Sequence, residues 1–344
     1  MKKHVKGLVL LGDRHAEIRE FDISDPGPRE VLLRIEAAGI CGSDLHFYQS
    51  TPEVLGIRRG VVIGHEPSGV IEAVGSCVEH LQIGDRVTVN HTLGCGHCEY
   101  CRAGATVLCA ENLGIAASGY GGDAEYTLMP AGNCLPLPDA LSFIEGTFLA
   151  CTGATAYNAL RKLGTSGRDR LVIVGLGPVG LSGVIVGRAM GATVYGVDLI
   201  PERLALAKSL GANEVMNATK VDTVTAIRAL TDGRGVELAF ETSGTANGQS
   251  DAVDVLRPRG KAAFVGIGEH GKSIEPAQFL HKEATLYGSK VMPASVYQEM
   301  VRFMFRQNVR FEPIVTHRVP LIEGPAAFAE FNAGAAGKFI LEMR

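Results

Sequence analysis

Residues 171–180 read LVIVGLGPVG. The branched aliphatic run Leu171–Val174 suits a strand buried on both faces, and the frame Gly175-Leu176-Gly177-Pro178-Val179-Gly180 follows it directly. Gly175 permits a tight turn, Gly177 lets the backbone come close to a pyrophosphate, and Gly180 lets the following helix pack against the strand. Pro178 falls near the first helical position, where its missing N–H costs little. The free amides of a helix over Val179–Met190 then face the phosphates. Glycine-rich turns are common, so the strand before and the helix after give this one its weight.

Reading outward, strand Thr193–Asp198 ends in a carboxylate eighteen residues past Gly180. A carboxylate there accepts hydrogen bonds from an adenosine ribose 2′-hydroxyl and repels a 2′-phosphate, which favours NAD over NADP. Arg203, one turn on, could flank the adenine. A turn or helix-capping role for Asp198 is the plainer alternative, and it leaves the glycine pattern unexplained. Helices Pro201–Leu210, Thr223–Leu230 and Ser250–Leu256 alternate with strands Glu214–Met216, Val236–Glu241 and Lys261–Gly266. That alternation predicts a doubly wound parallel sheet covered on both faces, a dinucleotide-binding domain over 150–288. A single helical stretch, Phe148–Leu163, is expected to lead into it.

The first 145 or so residues have another texture: short β-rich runs between Gly, Pro and Asp turns, such as Glu30–Ala38 and Asp85–Asn90. They predict a barrel-like β domain over 1–149, to which residues 289–344 return with one helix, Tyr297–Gln307. Within it lies CGHCEYCRAGATVLC, placing Cys95, Cys98, Cys101 and Cys109 at spacings of two, two and seven residues. Four thiolates so close suit a closed tetrahedral zinc site; a pair of disulfides is the alternative. A closed site has no open coordination position, so it supports structure and the chemistry lies elsewhere. Cys77 and Cys134 read as buried structural thiols and His97 as exposed.

The chain has 344 residues, 20% charged, with a net charge of −4. No long basic run favours nucleic acid, and no apolar stretch approaches a membrane span or a signal peptide. Eight cysteines without an export signal fit metal binding in a reducing, cytoplasmic setting.

Further segments complete the pattern: GICGSDLH (Gly39–His46), GHE (Gly64–Glu66), ACTGATAYNAL (Ala150–Leu160) and VGIG (Val265–Gly268). With the cysteine run, the glycine frame and Asp198, in this order, the chain resembles the medium-chain, zinc-dependent alcohol dehydrogenase family over nearly its whole length. The resemblance implies an α/β protein: a GroES-like β-barrel catalytic domain plus a Rossmann domain. It implies a zinc-dependent dehydrogenase that passes a hydride between an alcohol and NAD, using one catalytic and one structural zinc.

Carried over by motif, Cys41 and His65 resemble two catalytic zinc ligands. Cys151 is the expected third, with Glu66 as an alternate ligand and Glu145 as a poorer substitute for Cys151. Three ligands leave a position open where zinc acts as a Lewis acid on a bound alcohol. Ser43 is expected to accept the hydroxyl proton and, by family resemblance, to pass it through the nicotinamide ribose to His46. Asp44 should orient His65, and Val265 and Gly266 should lie beside the nicotinamide. The expected substrate is a small alcohol or carbonyl compound: a secondary alcohol, a polyol or a 3-hydroxy compound. Ser289 and Lys290 stand where the polyol branch has an Arg-Tyr pair, which counts against a sorbitol-like substrate. Pocket residues are expected around Phe47, Tyr48, Leu113–Tyr120 and Ser289–Met292, with His91 bordering the cleft. The family implies a homo-oligomer, a dimer or a tetramer. A zinc-free quinone or enoyl reductase of the same fold would lack Cys41 and His65. A non-catalytic NAD-binding redox sensor is the third reading, and the Cys41–Ser43–His46 path argues against it.

Overall fold

The computed structural model describes residues 3–56, 60–268 and 274–343. The chain forms two compact units. One runs to Cys151 and takes in Pro293–Tyr297 and the chain from Val315 on; the other comprises Thr152–Met292 and Gln298–Ile314. The return to the first unit is therefore interrupted. All but the first residue of helix Tyr297–Arg306 groups with the second unit, where Glu299 accepts hydrogen bonds from Tyr157 Oη (2.9 Å) and Arg161 Nε (2.7 Å).

The first unit is built on a sheet ordered Val315–Pro320, Lys338–Glu342, Glu30–Gly39, Pro67–Val74, Arg86–Val89, Cys134–Pro136. Tyr126–Pro130 pairs with the first half of Glu30–Gly39, and Lys3–Gly12 forms a hairpin with His15–Ile23. Helix Phe143–Ala150 packs across the strands Glu30–Gly39, Pro67–Val74 and Arg86–Val89. Ser142 caps it by accepting from Glu145 N at 3.1 Å, and every residue from Ile144 to Ala150 is buried. Burial on all sides explains why this helix shows no amphipathic stripe in the sequence.

The second unit holds six parallel strands: β1 (Arg170–Val174), β2 (Thr193–Asp198), β3 (Glu214–Asn217), β4 (Val236–Glu241), β5 (Leu256–Phe264) and β6 (Thr285–Gly288). Their order is β3-β2-β1-β4-β5-β6. The direction of winding thus reverses between β1 and β4, the crevice where such folds take dinucleotides. Helix Pro178–Ala189 follows β1 and presses close to the sheet, because Cβ atoms at Gly183 and Gly187 would stand 2.9 Å from Phe240 and 2.8 Å from Leu171.

The expected helix Phe148–Leu163 is two helices, Phe143–Ala150 and Thr152–Leu163. Cys151 between them adopts φ −147°, ψ −72°, outside the helical region. Periodicity could not show the break, since apolar residues continue through it. Cys134 is buried as expected, whereas Cys77 is exposed in the turn after Pro67–Val74.

Candidate metal centres and dinucleotide site

Strand Glu30–Gly39 delivers Cys41 just past its end, and Ile40 N is held by Phe339 O at 3.1 Å. Gly64, at φ +88°, turns the chain into His65 and Glu66 before strand Pro67–Val74. The helix break supplies Cys151. One donor atom from each of Cys41, His65, Glu66 and Cys151 lies within 4.8 Å of the others. Two sulfurs, an imidazole nitrogen and a carboxylate oxygen so grouped fit a zinc ion.

Asp44 organises this cluster from beneath. It is 3% exposed and accepts from Cys41 N at 2.9 Å through Oδ2 and from His65 Nδ1 at 2.9 Å through Oδ1. With Nδ1 committed as donor, Nε2 is the nitrogen left for a metal. Burial alone would lower the His65 pKa, but the Asp44 and Cys41 charges overcome it and raise it well above its ordinary value. The Cys151 thiol beside Cys41 is the main reason the Cys41 pKa falls well below a normal thiol, and the same contact pushes Cys151 up.

Lys338 was not legible in the sequence. Its Nζ lies 2.5 Å from Glu66 Oε2, and both side chains are wholly buried. Burial raises Glu66 to about 7, with Lys338 opposing the rise. A lysine opening the apolar strand Lys338–Glu342 was the available signal, and it pointed to no partner. Asp123 was missed as well. It is fully buried beside Gly64, and neither carboxylate oxygen has a hydrogen-bond partner among the described residues. Burial first, then the Asp44 charge, raises its pKa well above the carboxylate range. His91 stands with its ring centroid 5.0 Å from that of His65, edge-on, and is tied through Nδ1 to Ala150 O at 2.9 Å. Ser43 is half-buried at the start of helix Asp44–Gln49, and His46 is exposed on it. Glu145 is buried within helix Phe143–Ala150 and is not among the four grouped donors.

In the cysteine lobe, Cys95, Cys98, Cys101 and Cys109 also place their sulfurs within 4.8 Å of one another. Amides face these sulfurs: Cys98 N to Cys95 Sγ and Cys101 N to Cys98 Sγ, each 3.4 Å, and Cys95 N to Cys109 Sγ, 3.5 Å. Such donors favour thiolate, and the Cys95 amide is the main cause of a Cys109 pKa of about 7. None of the eight cysteines is in a disulfide. His97 is exposed, with Nδ1 bonded to Cys95 O.

At the dinucleotide site Gly175 has φ +90°, and a Cβ there would meet Ser243 N at 2.8 Å. A Cβ on Gly180 would overlap Gly175 O, whereas one on Gly177 would meet nothing within 4 Å. Gly177 therefore caps helix Pro178–Ala189 with its α-carbon facing open space, the cradle a pyrophosphate needs. Leu176 N donates to Asp198 Oδ2 at 2.6 Å, and Leu199 N and Ile200 N donate to Oδ1 at 2.7 and 2.9 Å. Asp198 thus also serves as the turn residue of the plainer alternative. Arg203 lies beside it, Nη1 to Oδ2 at 3.9 Å. Val179 opens the helix, and Val265 N and Gly266 N both turn back to Glu241 O.

Comparison with known proteins shows the family. Residues 27–139 match the alcohol dehydrogenase GroES-like domain family, and residues 178–306 match the zinc-binding dehydrogenase family. The chain is 34% identical to the uncharacterized zinc-type alcohol dehydrogenase-like protein YphC of Escherichia coli (strain K12), over 99% of each chain. It is 30% identical to the L-threonine 3-dehydrogenase of Rhizobium etli (strain CIAT 652), over 99% of this chain and 98% of that one. Its fold matches alcohol dehydrogenase TADH from Thermus sp. ATN1 with a TM-score of 0.89 at 31% identity, over 98% of this chain and 100% of that one.

Proposed function

From the premise that this chain belongs to the medium-chain, zinc-dependent alcohol dehydrogenase family and is an NAD-dependent oxidoreductase of hydroxy compounds, we propose how its residues divide the work. Cys41, His65 and Cys151 hold the catalytic zinc, and Glu66 is an alternate ligand. Cys95, Cys98, Cys101 and Cys109 hold a structural zinc. The observation that carries this reading is the grouping of Cys41, His65, Glu66 and Cys151 donors within 4.8 Å, three of them buried. NAD lies along Gly175–Gly180, with Leu176, Gly177 and Val179 near the phosphates and Asp198 and Arg203 at the adenosine. Val265 and Gly266 lie at the nicotinamide. The first unit is thus the zinc-bearing one and the second the NAD-binding one.

Zinc when bound supplies a Lewis acid for the substrate hydroxyl, and the nicotinamide supplies the hydride acceptor. The protein does the rest. Asp44 holds the His65 tautomer that leaves Nε2 for the metal. Lys338 balances the charge of Glu66, so that this carboxylate can sit in a dry site. Ser43 accepts the hydroxyl proton, and exposed His46 releases it to water.

The substrate is a secondary alcohol, polyol or 3-hydroxy compound, oxidised to its carbonyl. The test is NADH formation by zinc-analysed protein across secondary alcohols, polyols, 3-hydroxy amino acids and sugar acids. Turnover with one class, lost on zinc removal, supports the reading; two bound zincs and bound NAD with no turnover anywhere favour the redox-sensor alternative.

No helix among the described residues is long and apolar enough to cross a membrane. Eight unpaired cysteines suit a reducing compartment, and we place the enzyme in the cytoplasm. Among the described residues β6 pairs only with β5, which leaves a sheet edge for a second copy and supports a homo-oligomer, dimer or tetramer. Light scattering of the purified chain tests this; a monomer at micromolar concentration refutes it.

A further inference from the structure

Glu241 ends β4 and is wholly buried. Its Oε1 accepts three hydrogen bonds, from Ser243 N (2.7 Å), Ser243 Oγ (2.6 Å) and Gly244 N (2.8 Å). Its Oε2 has no hydrogen-bond partner among the described residues and points at Gly266, where a Cβ would stand 2.7 Å away. No cationic side chain pairs with it among the described residues. Burial raises its pKa, and the Ser243 and Gly244 donors on Oε1, with the Gly266 backbone N–H beside Oε2, pull the other way by favouring the anion. A glutamine could take the same bonds on one oxygen without bringing a charge into the interior, so the charge itself asks for a role.

Its position suggests one. The winding reverses between β1 and β4, and Glu241 stands at the end of β4. The turn it organises touches both neighbouring loops. A Cβ on Gly175 would stand 2.8 Å from Ser243 N, and one on Gly266 would overlap Gly244 N. Val265 N and Gly266 N also bond to the Glu241 carbonyl, at 3.0 and 3.3 Å. Oε2 is therefore directed at Gly266, in the segment proposed to lie at the nicotinamide. The oxidised nicotinamide ring carries a positive charge that the reduced ring lacks. We propose that Glu241 is a specificity-determining residue whose buried charge makes the site bind oxidised NAD more tightly than NADH. It acts through space on the ring and touches no reacting atom. The inference rests on the reading that NAD occupies the Gly175–Gly180 site.

Separate dissociation constants for NAD+ and NADH, measured at pH 8 on the zinc-loaded full chain, test it. Glu241→Gln should weaken NAD+ by about tenfold, the scale of one charge acting across a protein interior, and leave NADH within about twofold. Ser243→Ala disturbs the same turn without changing charge, and should shift both constants together. Glu241→Asp keeps the charge and should keep the wild-type ratio, which also covers the case in which Glu241→Gln fails to fold. Equal weakening of both cofactors by Glu241→Gln overturns the proposal, as does a shift in ratio with Ser243→Ala or Glu241→Asp as large as that expected for Glu241→Gln. If the wild-type chain binds neither cofactor, the dinucleotide reading falls and this proposal with it.

Discussion

Around the candidate catalytic centre, individual side chains are set against one another by charge. Glu66 and Lys338 are both fully buried and 2.5 Å apart. Removing one partner of such a pair strands the other, so Lys338→Met should destabilise the first unit by about 3–5 kcal/mol in urea melts. The double variant Glu66→Gln with Lys338→Met should recover most of that loss; if the two losses simply add, the pair is not coupled. Cys41 contributes differently, since its proposed role is to bind metal rather than to hold the fold. Cys41→Ser should lower bound zinc from two ions to one and abolish turnover, with an unfolding midpoint close to wild type in the chelated protein. Metal analysis beside a melt reads both. These pairings were only partly legible in the sequence. The four clustered cysteines stand in a short run whose spacing is itself the signal, whereas Cys41 and His65 were singled out by the resemblance of GICGSDLH and GHE to the family's motifs. Lys338 meets Glu66 across most of the chain, and Asp123 is distinguished only by its burial, so neither had a local pattern to show.

Among the elements, helix Pro178–Ala189 and the strand ends around it carry the cofactor reading. A Cβ on Gly180 would overlap Gly175 O and stand 3.0 Å from Thr242 Oγ1, itself bonded to Gly175 O at 2.7 Å. Gly180→Ala should therefore push the helix away from the turn and raise the NAD KM at least about tenfold, with the zinc content unchanged. An unaltered KM would remove the helix from the phosphate site. At the other end of the sheet, Glu237 on β4 receives Arg170 N, Nε and Nη2 at 2.9, 3.0 and 2.8 Å and Arg257 Nε at 3.1 Å. Burial alone would raise its pKa, but Arg170 outweighs this and the pKa falls to about 2. The folded pKa lies below the unfolded value, so the stabilisation is full above about pH 4.5 and is lost as pH falls toward 2. Glu237→Gln should cost about 2–3 kcal/mol at pH 7 and progressively less as pH falls from about 4.5 toward 2, as read by urea melts across that range. The sheet was largely readable beforehand because strand and helix periods alternate through it. The split at Cys151 was not, because a residue that leaves helical geometry inside an apolar run changes no period.

For the whole molecule, the proposed function assigns chemistry to one donor cluster and support to the other. The cysteine lobe has little regular structure of its own: a four-residue helix, Glu99–Arg102, and the two-residue strands Thr92–Leu93 and Leu113–Gly114. So small a lobe depends on its ion for shape. Cys98→Ser should lower the thermal midpoint and expose the lobe to proteolysis, whereas Cys41→Ser should not; equal losses in both variants would contradict the division.

The Glu66–Lys338 pair also has a consequence during synthesis. Glu66 leaves the ribosome about 270 residues before the lysine that neutralises it. At about 5–20 residues per second that is an interval of roughly 15–55 s. Throughout it, the nascent β domain holds Cys41, His65 and Glu66 without strand Lys338–Glu342, and a carboxylate that cannot be buried unpaired keeps that region open to water. The cluster around Glu66 is thus completed late in synthesis, and a chaperone or zinc donor meeting the growing chain encounters the cysteine lobe first.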